Sequence, residues 1–134
     1  MTEPQINPTM DIANQLAALC REGKNLEAVN TLYADDIVSV EVMDCPEMGM
    51  PRMMEGIDAI RGKNKWWLEN HEVHSNEVLG PFPHGNRFIL IFKCDCTPQC
   101  EGPTKGQRMQ MREAGLYTLN DAGKIAKEEF FYHM

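Results

Sequence analysis

Three glutamates, Glu41, Glu113 and Glu128, are the residues of this sequence best suited to acid–base chemistry. If a pocket gathers their carboxyl groups among methionines and aromatic rings, desolvation and like-charge repulsion raise the pKa of at least one of them. One carboxylate could then abstract a proton while a protonated neighbour donates a hydrogen bond to the developing oxyanion. Alternatively, these glutamates are surface charges, or they form ion pairs with one of three arginines: Arg87, Arg108 or Arg112.

Apolar side chains that could line such a pocket occur in two places. The first is a methionine-rich loop that Pro and Gly residues keep irregular, with Met43, Met48, Met50, Met53 and Met54. Thioethers conform to varied shapes, so this loop could be a lid over an apolar ligand, with Met54 as a contact; core filling is the alternative. The second is Trp66-Trp67, whose side chains diverge by about 100° on a helix. One should enter the core and the other an interface or pocket rim, and Trp67 is a ligand-binding candidate.

Two groups of residues resemble metal sites, but one lacks the required spacing and the other lacks a fourth ligand. His71 and His74 are three residues apart at an expected helix end, whereas a zinc-protease helix needs histidines four apart. His71 could instead reach the pocket mouth as an acid–base group. Cys94, Cys96 and Cys100 contain no CxxC pair and no obvious fourth ligand, which favours buried, inert thiols over zinc. The sequence predicts neither a metal nor a cofactor.

Composition excludes several function classes. The 134 residues suit one domain, and the formal net charge of −7 opposes binding to nucleic acid or anionic lipid. No apolar run approaches the ~20 residues that span a bilayer. The polar residues 1–8 resemble neither a signal nor a transit peptide, so we expect a cytoplasmic protein with a flexible start and one domain over residues 9–134.

Hydrophobic periodicity predicts three N-terminal helices, with a strand over residues 37–42 before the third, followed by a meander of strands. The first helix begins with Thr9 or Asp11 as its cap, the second covers residues 25–33, and the third runs from Gly56 to about His71. Strands follow over residues 73–79, 87–96, 107–119 and 124–132. This order favours an α+β fold with an antiparallel sheet. Residues 88–92 are apolar on both faces, which predicts a homodimer through the outer sheet face.

Three segments carry a recognisable pattern: LYADDIVSVE at residues 32–41, EGIDAIR at residues 55–61 and the final hairpin YTLNDAGKI at residues 117–125. They resemble the SnoaL-like and ketosteroid-isomerase-like proteins of the nuclear-transport-factor-2-like superfamily. The resemblance implies a cone in which three helices close one end of a strongly curved sheet, with a pocket for apolar ring-bearing molecules. The isomerase's general base falls on Glu41. Its oxyanion-binding tyrosine falls near Gln15 or Leu16, and its neutral aspartic acid falls on Gly115.

Strand alternation extends this placement to further residues. If Gly115 faces the pocket, so do the neighbours two and four residues away, Glu113, Met111 and Tyr117, together with Met109. The hairpin register then places Glu128, Phe130 and Tyr132 inward, and an error of one residue would select Glu129, Phe131 and His133 instead. Glu113 is therefore the candidate for the missing acid.

Two functions remain open at this point. The first is a cofactor-independent isomerase, cyclase or lyase that acts on a small apolar molecule, with Glu41 as the base and Glu113 as the acid. The second is a noncatalytic small-molecule-binding or dimeric accessory module of the same fold, because a fold alone does not fix function.

Overall fold

The computed structural model describes residues 8–46 and 49–133, and its elements confirm the predicted α+β class. The helices are α1 (Pro8–Arg21), α2 (Asn25–Leu32) and α3 (Ile57–Glu69). The strands are β1 (Tyr33–Val40), β2 (Met53–Glu55), β3 (His71–His84), β4 (Arg87–Pro98), β5 (Met109–Leu119) and β6 (Ile125–Phe131). They form one curved sheet in the order β2-β1-β6-β5-β4-β3. All neighbouring strands are antiparallel except β1 and β6, which pair in parallel.

The core lies between the helices and the inner face of the sheet. Leu16 of α1 and Ile60 of α3 are buried against Phe88 and Leu90 of β4 and Ile125 of β6. The apolar residues that predicted α1, such as Leu16, therefore lie on its buried side. Neither Thr9 nor Asp11 is the cap, because α1 already begins at Pro8, whose fixed φ suits a first helical position.

The predicted strand over residues 73–79 is too short, because β3 runs from His71 to His84. Two prolines suggested a break, but β3 is an edge strand and tolerates residues that cannot donate to a sheet. An irregularity in the pairing between Leu79 and Phe82 accommodates Pro81, and Gly80 adopts a φ of 105° there. The chain reverses only at Gly85 and Asn86.

The methionine-rich loop contains an unpredicted strand, β2, which is three residues long and pairs with β1. Met48 and the predicted flexible residues 1–7 lie outside the described residues. Within the described ranges, no helix has the length and hydrophobicity needed to cross a membrane.

Candidate functional site

A cavity of about 400 Å³ lies between the helices and the inner face of the sheet. Leu16 and Cys20 of α1 and Trp67 of α3 form part of its apolar wall, together with Phe92 and Phe130 of the sheet. Its volume is at the small end of the range of about 300–1,000 Å³ for ligand pockets. Polar groups converge on this cavity from β1, α3, β5 and β6.

Glu128 is the most deeply buried carboxylate, with 3% of its surface exposed. The Tyr33 hydroxyl donates a hydrogen bond of 2.5 Å to one of its oxygens, and the Ser39 hydroxyl donates one of 2.8 Å to the other. Burial raises the pKa of Glu128, while nearby Lys63 and these two hydrogen bonds oppose the rise. Glu128 is thus a structural acceptor at the base of the cavity.

Lys63 of α3 is connected to the buried Glu128 through Ser39. Its Nζ atom lies 2.5 Å from Glu41 Oε1, donates a hydrogen bond of 2.9 Å to Ser39 Oγ, and sits 5.0 Å from the centre of the Phe130 ring. Glu41 follows the last residue of β1, so the strand end and α3 hold this ion pair from opposite sides. A continuous polar network therefore runs from Glu41 through Lys63 and Ser39 to Glu128.

Glu113 on β5 differs from the other two carboxylates because it has neither a hydrogen bond nor an ion pair with any residue in the described ranges. Desolvation, followed by repulsion from Glu41 and Glu128, raises its pKa to about 7, although Lys63 opposes the shift. Its carboxyl group lines the cavity. A group with this pKa can both accept and donate a proton near neutral pH.

Glu113, Gly115 and Tyr117 alternate along one face of β5. The ring of Tyr117 packs across Gly115. A Cβ atom on Gly115 would lie only 2.8 Å from the ring, so the absence of a side chain makes room for it. Tyr117 is 2% exposed, stacks on Phe88 at 5.1 Å and lines the cavity. Its hydroxyl has no hydrogen-bond partner in the part of the chain that the structure describes. It can therefore donate to a ligand.

The structure brings five of the nine candidate residues together around the cavity: Glu41, Glu113, Glu128, Tyr117 and Trp67. The other four, Met54, Met111, His71 and Tyr132, do not line it. His71 lies behind Trp67, with its ring stacked at 4.3 Å and its Nδ1 atom 2.8 Å from the Trp67 carbonyl oxygen. Burial lowers the pKa of His71, and this hydrogen bond opposes the shift.

The remaining three have other surroundings. Met54 packs against the hydrophobic core from the short strand β2, so the expected contact between the methionine-rich loop and the cavity is not formed by this residue. Met111 accepts a hydrogen bond from the Cys96 thiol. Burial, with further contributions from the Glu41 carboxylate, raises the pKa of Tyr132 to about 12.

Three residues of the hydrogen-bonded network around Glu128 were not predicted: Tyr33, Ser39 and Lys63. Tyr33 was assigned to the end of α2, but it is the first residue of β1. Lys63 lies three residues after the buried Ile60 and four before Trp67, so helical spacing places it on their face of α3. That spacing was the available signal. Near the predicted tyrosine position, Leu16 supplies no donor, and Tyr33 and Tyr117 supply the phenol groups instead.

The helices on a curved sheet, with a largely apolar cavity between them, define an α+β domain of the nuclear-transport-factor-2-like class. The chain belongs to the SnoaL-like domain family, whose sequence model matches residues 8–132. No curated protein sequence matches it.

Solved structures agree with this assignment. A proposed SnoaL-like polyketide cyclase from Mesorhizobium loti is 41% identical, with a TM-score of 0.81, over 92% of this chain and 97% of that one. A Mycobacterium tuberculosis protein, solved in complex with estradiol-17β-hemisuccinate, is 18% identical, with a TM-score of 0.70 and 96% of each chain covered. A proposed isomerase from Bacillus subtilis is 16% identical, with a TM-score of 0.71, over 96% of this chain and 90% of that one. The last two show the shared fold.

Proposed function

We propose that this protein binds a small, largely apolar, ring-bearing molecule and transfers a proton next to a carbonyl group without a cofactor. The observation that carries the proposal is Glu113, a carboxyl group on an apolar cavity with a pKa of about 7 and no hydrogen bond or ion pair to a described residue. A proton-transfer group works best when its pKa is near the operating pH.

The neighbouring groups supply the other roles. Tyr117, whose hydroxyl has no partner in the described ranges, would donate a hydrogen bond to the carbonyl oxygen as negative charge develops there. Lys63 adds a positive charge at the same cavity. Glu41 already forms an ion pair with Lys63, whereas the oxygens of Glu113 are open to the cavity. We therefore assign proton transfer to Glu113, and Glu41 would act as a base only if its ion pair opened.

The neighbours support this substrate class. The Mycobacterium tuberculosis protein holds a steroid ester, and the other two neighbours are a proposed cyclase and a proposed isomerase. The apolar wall formed by Trp67, Phe92 and Phe130 suits such a ligand.

A noncatalytic binding function is the second candidate, and a specific observation favours it. Both oxygens of Glu128 are occupied by Tyr33 and Ser39, and Glu41 is held by Lys63, so two of the three carboxylates already have partners within the protein. Under this function Glu113 would only hydrogen-bond a ligand.

Hydrogen–deuterium exchange at carbon distinguishes the two functions without knowledge of the natural substrate. The probe is 2-tetralone, a bicyclic ketone, and NMR in D₂O follows the loss of its α-protons. Catalysis predicts faster exchange than in buffer, a pH dependence centred near 7, and loss of the acceleration in Glu113→Gln. The matched control is Glu72→Gln, which changes an exposed carboxylate on β3.

The possible outcomes distinguish catalysis from binding alone. Ligand-induced chemical shifts without accelerated exchange would support binding alone. Acceleration that survives in Glu113→Gln would contradict the assigned role of Glu113. Failure of 2-tetralone and of larger ring ketones to bind at all would refute both functions.

We also propose that the protein forms a homodimer through the outer face of the sheet. Ile89 on β4 is 37% exposed, Phe82 on β3 is 54% exposed and Phe131 on β6 is 53% exposed. A two-fold axis would bury the same apolar patch on both chains. Sedimentation of the wild type and of Phe131→Lys tests this, and a wild-type protein that is monomeric at all concentrations would contradict it.

A further inference from the structure

Four sulfur-containing residues face one another across β4 and β5. Cys94 pairs with Met111, and Cys96 pairs with Met109, in the antiparallel register of the two strands. Residues two apart on a strand point to the same face. The two cysteines and two methionines therefore form a two-by-two group on one face of the sheet, which we call the sulfur patch.

Two members of the sulfur patch are in contact, because the Cys96 thiol donates a hydrogen bond of 3.4 Å to the Met111 sulfur. Cys94 is the register partner of Met111 on the same face of the sheet. Cys96 is fully buried, whereas Cys94 is half-buried and lines the cavity between the helices and the sheet. An ion could reach the Cys94 thiol through this cavity.

We propose that the sulfur patch is a binding site for a soft monovalent cation, Cu(I), held by Cys94, Cys96 and Met111. Thiolate and thioether ligands together select Cu(I) over harder ions. On binding, each coordinated thiol releases its proton to solvent and forms one metal–sulfur bond, and the copper stays Cu(I). This inference uses no part of the proposed proton-transfer function.

The Cys96–Met111 pair needs only a small adjustment to share a metal ion. With metal–sulfur bonds of about 2.3 Å, sulfur atoms in a trigonal site lie about 4.0 Å apart. The sulfur atoms of Cys96 and Met111 are 3.4 Å apart, so they must separate by about half an ångström. The three rotatable bonds of methionine allow such a movement, and Met109 lies beside Cys96 as a further thioether.

Zinc suits this patch less well. Structural zinc takes four thiolate, imidazole or carboxylate ligands, and the described ranges contain no group of three or more such residues that could hold a metal.

Anaerobic titration of the reduced, full-length protein with Cu(I) in acetonitrile, in competition with bicinchoninate, tests the site. One Cu(I) per chain should bind tightly, and Met111→Leu, which keeps both thiols, should weaken binding about tenfold or more. Cys94→Ser should do the same. Cys100→Ser, which removes a half-buried thiol outside the patch, is the matched control and should bind as the wild type does.

Equal affinity in Met111→Leu and wild type would overturn the proposal, and so would equal weakening in Cys100→Ser. Circular dichroism of the metal-free variants establishes whether each one folds. X-ray absorption of the copper-loaded wild type needs no variant: three sulfur neighbours would support the site, and a shell of two sulfurs, or of nitrogen and oxygen, would overturn it.

Discussion

Replacing Glu113 by glutamine should change how the stability of the protein depends on pH. The folded chain binds the Glu113 proton more tightly than the unfolded chain, because its pKa rises from 4.5 to about 7. The free energy of unfolding should therefore fall as the pH rises from about 4.5 through about 7. At about 1.4 kcal/mol per pH unit this loss is at most about 3.5 kcal/mol, and water in the cavity reduces it. Glutamine is neutral at every pH and avoids the loss.

Urea unfolding of wild type and Glu113→Gln at pH 4, 5, 6, 7 and 8 measures the effect. The variant should gain stability relative to the wild type by up to about 3.5 kcal/mol between the two ends of this range. Glu72→Gln on the exposed part of β3 should run parallel to the wild type. Parallel curves for Glu113→Gln would show that Glu113 titrates as a solvated carboxylate, and the reasoning on the site would be refuted.

Two further changes test the groups around Glu113. Lys63→Met removes the positive charge that lowers the pKa of Glu113, so carboxyl NMR titration should give Glu113 a pKa above about 7. The control Lys65→Met changes an exposed lysine and should leave the pKa of Glu113 unchanged. A lower pKa of Glu113 in Lys63→Met would contradict the arrangement. Gly115→Ala places a Cβ atom 2.8 Å from the Tyr117 ring and should destabilise the fold by about 1–3 kcal/mol in urea unfolding. An unchanged midpoint would show that the ring does not occupy this position.

Much of the fold could be predicted because it depends on periodic burial. The spacing of Leu16 and its neighbours predicted α1, and the alternation around Gly115 predicted the inward face of β5. The strand β2 escaped prediction because three residues, two of them methionine, carry no periodic signal. The end of β3 was misplaced because prolines read as turn signals, and only the position of the strand at the sheet edge makes them acceptable.

The site was harder to predict because its key contacts join distant segments. Glu128, whose inward orientation followed from the hairpin register, is buried as that register requires. Lys63 was overlooked because a lysine on an amphipathic helix is usually a solvent-facing residue. Only the fold shows that Ser39 and Glu41 lie within reach of its ammonium group. The partners of Tyr33 could not be predicted either, because its hydrogen bond spans 95 positions.

The position of β6 between β1 and β5 has a consequence for how the protein assembles. Without β6 the sheet would consist of two separate pieces, β2-β1 and β5-β4-β3. The parallel pairing of β6 with β1 closes a long loop of chain, which makes this step entropically costly and slow. Because β6 also carries Glu128 and Phe130, the same late step that joins the two pieces completes the cavity. A partly folded chain would therefore contain most of its helices and strands but no intact site.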